Sequence, residues 1–309
     1  MTPLVFQVIT MGHLTSEKMA FPLEGTVLTV FRSSFYLNFG KLIFCIGTRE
    51  LPLGPLNIST SASPEINWEE LGVRKNVPAK RLKEHIRIGC KYLFIVSGAH
   101  EWSPDQIRKP LYNAALERGL ATFKEKALKM APDECLWRFI CGGSLSKNAN
   151  IIGQVTRRNI SEARQWLTQA LIDKNNAEAM KIDWAKKLVG LGYGLTPSGD
   201  DFLGGIMIAL HSIGKGDLSY LLWSKIQNHV SSSTNLISIA HMRAASNGIG
   251  ADVIHRAIST IADGDLKAIE GSILGVDCIG HTSGWDILSG FFVVLESWLY
   301  ANNKKAAWG

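Results

Sequence analysis

The sequence predicts an α+β protein: a β-rich N-terminal part over residues 1–102, followed by a mainly α-helical part over residues 103–309. Three observations carry this. As far as about Val96, β-branched and aromatic runs alternate with glycine and proline punctuation. Beyond Ser103-Pro104-Asp105 apolar residues recur at helical spacing. Strands precede helices instead of alternating with them, which speaks against a doubly wound nucleotide-binding sheet.

In the first part, Thr26–Phe31 and Lys41–Ile46 read as strands bounded by Gly25, Gly40 and Gly47. The stretch from Phe35 to Leu42 reads as a hairpin turning near Asn38 to Gly40, and Lys91–Val96 as the last strand. Pro52, Pro55, Pro64 and Pro78 are expected to break the intervening region into loops. In the second part the spacing predicts helices at about 105–130, 161–172, 177–189, 200–213, 218–229, 235–246, 251–262, 266–274 and 286–300.

With 309 residues, 46% of them hydrophobic, each part can build its own core. The net charge of +6 favours anionic small molecules, yet the basic residues fall in scattered pairs such as Arg74-Lys75 and Arg157-Arg158, so nucleic acid is not expected. Five cysteines without C-x-x-C spacing imply reduced, buried thiols rather than disulfides or zinc. No apolar run reaches the ~18 residues of a membrane span and no basic leader opens the chain, so a cytoplasmic protein is expected. A charged fraction of only 19% leaves room for a partner-covered surface.

Chemistry concentrates at two turns. The first, Thr196-Pro197-Ser198-Gly199-Asp200-Asp201, lies in a stretch from Gly190 to Gly205 that carries six glycines. It lacks both the lysine of a phosphate-binding Walker loop and the spacing of a dinucleotide fingerprint. The second, His281-Thr282-Ser283-Gly284-Trp285-Asp286, repeats its core as S-G-x-D-[F/I]-L-x-G, with Ser283 placed 85 residues after Ser198. A helix opening at each turn would aim backbone N–H groups at a small anion. The pair would then line one cleft, with Ser198, Gly199, Ser283 and Gly284 binding the anion. Asp200 and Asp201 could hold magnesium beside a phosphate.

Each feature also has a purely structural reading. Ser-x-x-Asp before an apolar run is a capping box, in which Asp201 would take the capping position and leave Asp200 spare. Gly204, Gly205 and Gly290 fit close helix packing. Between the repeats, Thr234 and Ser238 stand four apart on one expected helical face and could line the same pocket, or simply belong to a serine-rich cap. His241 and Arg243 are ambiguous. Arg32, Arg49 and the turn Gly54-Pro55-Leu56-Asn57 offer an anion contact or an ordinary solvated surface.

The run Gly-Leu-Thr-Pro-Ser-Gly-Asp-Asp-Phe-Leu at 194–203, then Thr234 and Ser238, then Gly280 to Asp286, resembles the AllH family. Thr282 stands where that motif more often has serine. The resemblance implies a subunit of oxamate carbamoyltransferase, an assembly of anaerobic allantoin and purine breakdown that moves a carbamoyl group between oxalurate and phosphate together with companion subunits. On that reading His281 transfers protons, and Asp200 and Asp286 are further catalytic carboxylates. Thr196, Ser198, Gly199, Thr234, Ser238, Thr282, Ser283 and Gly284 contact an oxamate- or carbamoyl-phosphate-like anion, and Asp200 and Asp201 bind magnesium or orient the substrate. A non-catalytic partner subunit, or an independent hydrolase or kinase-like enzyme, is the competing expectation.

Overall fold

A computed structural model of the chain describes residues 2–16, 21–105, 113–141 and 151–308. It divides into two compact units, Met1–Pro104 and Asp105–Gly309.

Among its described residues the first unit contains nine strands: β1 Leu4–Gly12, β2 Leu23–Val30, β3 Ser34–Asn38, β4 Ile43–Gly47, β5 Asn57–Thr60, β6 Pro78–Arg81, β7 His85–Ile88, β8 Tyr92–Ile95 and β9 His100–Trp102. Two short helices, α1 His13–Ser16 and α2 Trp68–Leu71, interrupt them. The order β5-β4-β3-β2-β6-β7-β8-β1, closed by antiparallel pairing of β1 with β5, makes a ring with few free edges. β9 continues β8 along β1, with the register slipping from Gln7 opposite Ile95 to Thr10 opposite His100. Inward-facing Val27, Phe35, Leu37, Ile58, Ile86 and Phe94 fill the ring, and Trp68 is buried among them with its indole N–H on the Ser33 carbonyl (3.0 Å).

The expected hairpin is present, with Gly40 at φ +78° in its turn and the Gly40 amide on Asn38 Oδ1 (2.9 Å). The region expected to be loops instead holds β5, β6 and β7. Pro78 opens β6, a position where its missing N–H costs the ladder little. Lys91–Val96 is not the last strand, since β9 follows.

The second unit is helical: α3 Asn113–Met130, α4 Leu136–Ile140, α5 Ile151–Ile172, α6 Lys174–Ala179, α7 Asp183–Leu188, α8 Ser198–Ser212, α9 Gly216–Ser233, α10 Leu236–Ser246, α11 Asp252–Asp263, α12 Ile269–Asp277 and α13 Ser283–Trp308. The start expected near Asp105 falls partly on residues 106–112, outside the described residues. The single helix expected at 177–189 is two, α6 and α7, and α4 carried no pattern long enough to be read. Among the described residues no helix is long and apolar enough to cross a membrane.

At the centre lie α8 and α13, the most extensively packed pair of helices. Every residue of α8 from Gly199 to Leu210 is buried. The two helices touch backbone to backbone: a Cβ on Gly205 would sit 1.9 Å from the Ile287 carbonyl oxygen, and one on Gly290 would sit 1.9 Å from that of Phe202. Phe202 and Ile287 are equivalent positions of the sequence repeat, as are Gly205 and Gly290. The contact is therefore reciprocal about an internal pseudo-two-fold axis. Glycine is required at both places because no side chain fits between the helices.

Candidate functional site

The repeat extends to the turns that lead into the two helices. After α7 the Leu191 amide bonds Leu188 O (3.0 Å); after α12 the Ile279 amide bonds Val276 O (3.0 Å). The Gly199 amide then donates to Leu191 O (2.8 Å) and the Gly284 amide to Ile279 O (3.0 Å). A Cβ on Gly199 would collide with Leu188 O, and one on Gly284 with Val276 O. Each half is thus a helix, a tight turn and a glycine pressed onto the end of the preceding helix.

The symmetry brings both turns to one place. Thr196 Oγ1 and Ser283 Oγ are 2.8 Å apart and hydrogen-bonded. Asp201 and Asp286, equivalent in the repeat, are both buried, and each is served by hydroxyls that include one from the other turn. Ser283 and Thr196 favour the charged form of Asp201, and Ser198 and Thr282 that of Asp286. Asp286 Oδ1 also accepts the Leu136 amide at the start of α4 (2.7 Å). The remaining oxygen of each, Oδ2, is buried without a hydrogen-bond partner. Burial pushes the Asp286 carboxyl up to about 6. It pushes Asp201 well above the usual carboxylate range, helped by the neighbouring charges of Asp286 and then Asp200.

Asp200 faces elsewhere. Its Oδ1 accepts the Gly190 amide (2.8 Å), while its Oδ2 accepts the hydroxyls of Thr234 (2.5 Å) and Ser238 (2.6 Å). It is the knot that ties the glycine turn, the α9–α10 junction and α8 together. Three expectations change here. Asp200 is not spare. Pro197, with no side-chain cap bond, is the N-cap of α8, so Ser198 and Asp201 do not form a capping box. Thr234 is not on a helical face with Ser238, being extended (φ −139°, ψ −179°) ahead of the Asn235 cap. The adjacent carboxylates expected to grip magnesium together serve different partners, and among the described residues no group of three or more His, Cys, Asp or Glu is arranged to hold a metal ion.

Of the amides expected to cradle an anion, those of Gly199 and Gly284 donate within the chain, as do the nearby amides of Asp200 and Asp201 to Pro197 O (2.9 and 3.1 Å) and of Asp286 to Thr282 O (2.9 Å). What the site offers at its surface is hydroxyls: Thr196, Ser198, Thr282 and Ser283 are all half-buried. His281 is exposed beside them, its Nε2 3.9 Å from Glu134 Oε2. His241 is half-buried by surface area, yet its ring is enclosed enough to be lowered to about 4. Arg32 and Arg49 are exposed residues of the first unit. Gly190 could have been found in the glycine run that contains it; Leu136, 150 residues from Asp286 in sequence, left no signal.

A symmetric pair of turns that buries two carboxyl groups beneath a rim of hydroxyls defines a helical-pair site. The segment that builds it, residues 188–295, matches the family model for the oxamate carbamoyltransferase subunit AllH. The match runs from the last residue of α7 to the buried half of α13 and so takes in both turns, Thr234 and Ser238. The AllH resemblance read from the two turns is thereby shown for this stretch. No solved structure matches the chain.

Proposed function

We propose that this protein is a subunit of a carbamoyltransferase-type complex, oxamate carbamoyltransferase-like, which exchanges oxalurate and phosphate for oxamate and carbamoyl phosphate in the cytoplasm. The meeting of the two turns under Thr196–Ser283 carries the reading: a repeat that merely capped two helices would not need them to share one carboxyl-lined floor. The small ligand contacts the rim hydroxyls of Thr196, Ser198, Thr282 and Ser283. Thr234 and Ser238 act on it through Asp200, and Gly199 and Gly284 by letting the turns close. His281 is placed to exchange a proton with a ligand at the rim, and Asp286 is a buried carboxyl beneath it. Transfer between two small substrates gains most from holding both in position, a factor that can reach several orders of magnitude. Companion subunits supply the second set of contacts. The exposed apolar side chains Tyr193 and Leu195 in the glycine turn, with Leu236 beside the Asn235 Nδ2–Leu195 O bond (2.8 Å), support a surface that a companion covers.

The test is phosphate-dependent cleavage of oxalurate by the purified chain, by the chain with its candidate companions, and by the same mixture carrying Ser198→Ala and Ser283→Ala together. Turnover that appears only in the mixture and falls at least tenfold in the double variant supports the reading. Full turnover by the lone chain would make it an independent enzyme. A second reading, a partner that does no chemistry, is favoured by the internal pairing of the Gly199 and Gly284 amides; it predicts that the double variant assembles and turns over like wild type.

A further inference from the structure

We propose that Asp201 and Asp286 form a carboxylic acid–carboxylate pair that holds one proton between their Oδ2 atoms across the pseudo-two-fold axis, and that this pair positions the hydroxyls at the rim. The proposal concerns the resting protein and stands whether or not the site binds an oxamate-like ligand. It begins from two orphaned atoms. Both Oδ2 atoms are shut away from water with no donor on either, and a buried acceptor left unpaired is destabilising. Two equivalent carboxylates related by a two-fold axis cannot both be charged at close quarters, but one proton satisfies both oxygens at once.

The surroundings divide the work in the same way. Leu136 N donates to Asp286 Oδ1, and Ser198 and Thr282 direct hydroxyls at the same carboxyl, so Asp286 is the better hydrogen-bonded, charged partner. Asp201 has only Ser283 and Thr196 to draw on, one of whose two hydroxyl hydrogens is taken by the bond between them, and it faces two negative neighbours, Asp286 and Asp200, so it carries the proton. The other titratable or charged groups nearby are Cys135 and Arg138 at α4, with burial, and after it the charge of Asp286, keeping the Cys135 thiol up at about 11, and the exposed pair His281 and Glu134. None of these offers a hydrogen to either Oδ2. With one hydroxyl hydrogen held in the Thr196–Ser283 bond and the others drawn inward to the carboxyls, the rim presents oxygen lone pairs outward, which suits a ligand N–H group, such as that of an amide or ureido nitrogen, better than a phosphate oxygen.

Infrared difference spectroscopy of the full chain at neutral pH, comparing wild type with Asp201→Asn and Asp286→Asn, tests the pair. In either variant the asparagine amide supplies the bridging hydrogen and the remaining aspartate is charged. The expected result is therefore one protonated-carboxyl C=O band in wild type that is lost from both variants. A wild-type spectrum without the band would overturn the proposal, and so would a band that survives in Asp286→Asn, which would mean Asp201 is neutral through burial alone. Should a variant fail to fold, carboxyl carbon resonances of aspartate-labelled wild type decide: a shared proton moves both resonances in each of two well-separated steps, whereas independent single-step titrations overturn it.

Discussion

The turn entering α8 and the turn entering α13 differ at one residue of their shared Ser-Gly-x-Asp, and the difference separates what the repeat is for from what each copy does. Both use Ser-Gly-x-Asp, both press a glycine onto the end of the preceding helix, and both send their aspartate to the common floor. At the variable position one has Asp200 and the other Trp285. Asp200 gathers Gly190, Thr234 and Ser238. Trp285 is buried, donates its indole N–H to Asp277 Oδ1 (2.8 Å) and lies against Trp137 with ring centroids 6.4 Å apart. The first turn is held by a polar knot and the second by an aromatic wedge. The invariant part builds the shared floor, and the variable part anchors each copy to a different neighbour.

The sharpest way to break the symmetry argument is at the helix contact. Gly205→Ala and Gly290→Ala each set a methyl group on a carbonyl oxygen in a close-packed core, and each should cost about 3 kcal/mol, as overpacking does at the upper end. Denaturant melts should give similar losses for the two. A large loss for one and none for the other would mean that the interface is not reciprocal.

Next in size are the two anchors. Asp200→Ala strands a partly buried amide and two hydroxyls and should cost about 2–4 kcal/mol. Asp200→Asn should cost about half that, because both hydroxyls can turn to accept from the new amide. Trp285→Phe keeps most of the wedge, loses one bond to an exposed aspartate and should cost about 1–2 kcal/mol. If Asp200→Ala melts like wild type, Asp200 returns to the spare role that its place in the motif first suggested.

How much of this the sequence revealed follows from where the signals lie. The strand-then-helix order, the turn at Gly40 and the Ser-Gly-x-Asp repeat are local, and local patterns are legible. The order of the closed sheet is set by pairings such as Val8 with Thr60 that no short window contains. The partners of Asp200 are hidden for a related reason. Adjacent carboxylates look like a cation site until the partners are known, and Thr234 and Ser238 arrive from 34 and 38 residues away. Close packing at Gly205 and Gly290 follows from their helical spacing, whereas Gly204 meets Ala245 only in ordinary contact, and a sequence does not show that the Gly199 and Gly284 amides already have acceptors.

A smaller effect, also directed at the shared floor, comes from pH. Asp286 is raised to about 6 from the ordinary 3.8, so the folded chain binds more protons than the unfolded one between those values. The stability it contributes is complete below about pH 4 and declines as pH rises to 6, by up to about 3 kcal/mol. Asp201 extends the decline to higher pH. His241 and His255, both lowered to about 4 by burial, act in the opposite sense: their contribution is present above about 6.5 and is lost as pH falls. The net profile mixes the two, so the comparison to make is wild type minus Asp286→Asn, which should show a declining difference between pH 4 and 6. A flat difference would take Asp286 out of the buried floor.

The smallest expected effect belongs to His281, and it separates site from scaffold. Its side chain is 81% exposed and its nearest charged partner, Glu134, is equally open at 3.9 Å. Surface ion pairs of this kind contribute little, so His281→Ala should leave the melting temperature unchanged within error. Activity of the assembled complex is a different matter. If His281 exchanges a proton with the ligand, its removal should lower kcat by a factor of ~10² or more and remove one limb of the pH–rate profile, with KM little changed. His281→Gln, which keeps a hydrogen-bonding group but cannot titrate, should fail in the same way. A histidine that only braces the turn would be rescued by glutamine, and its loss would be felt in KM rather than kcat. Because the folded state is expected to be indifferent to both substitutions, any change in rate can be assigned to the rim and not to the helix pair beneath it.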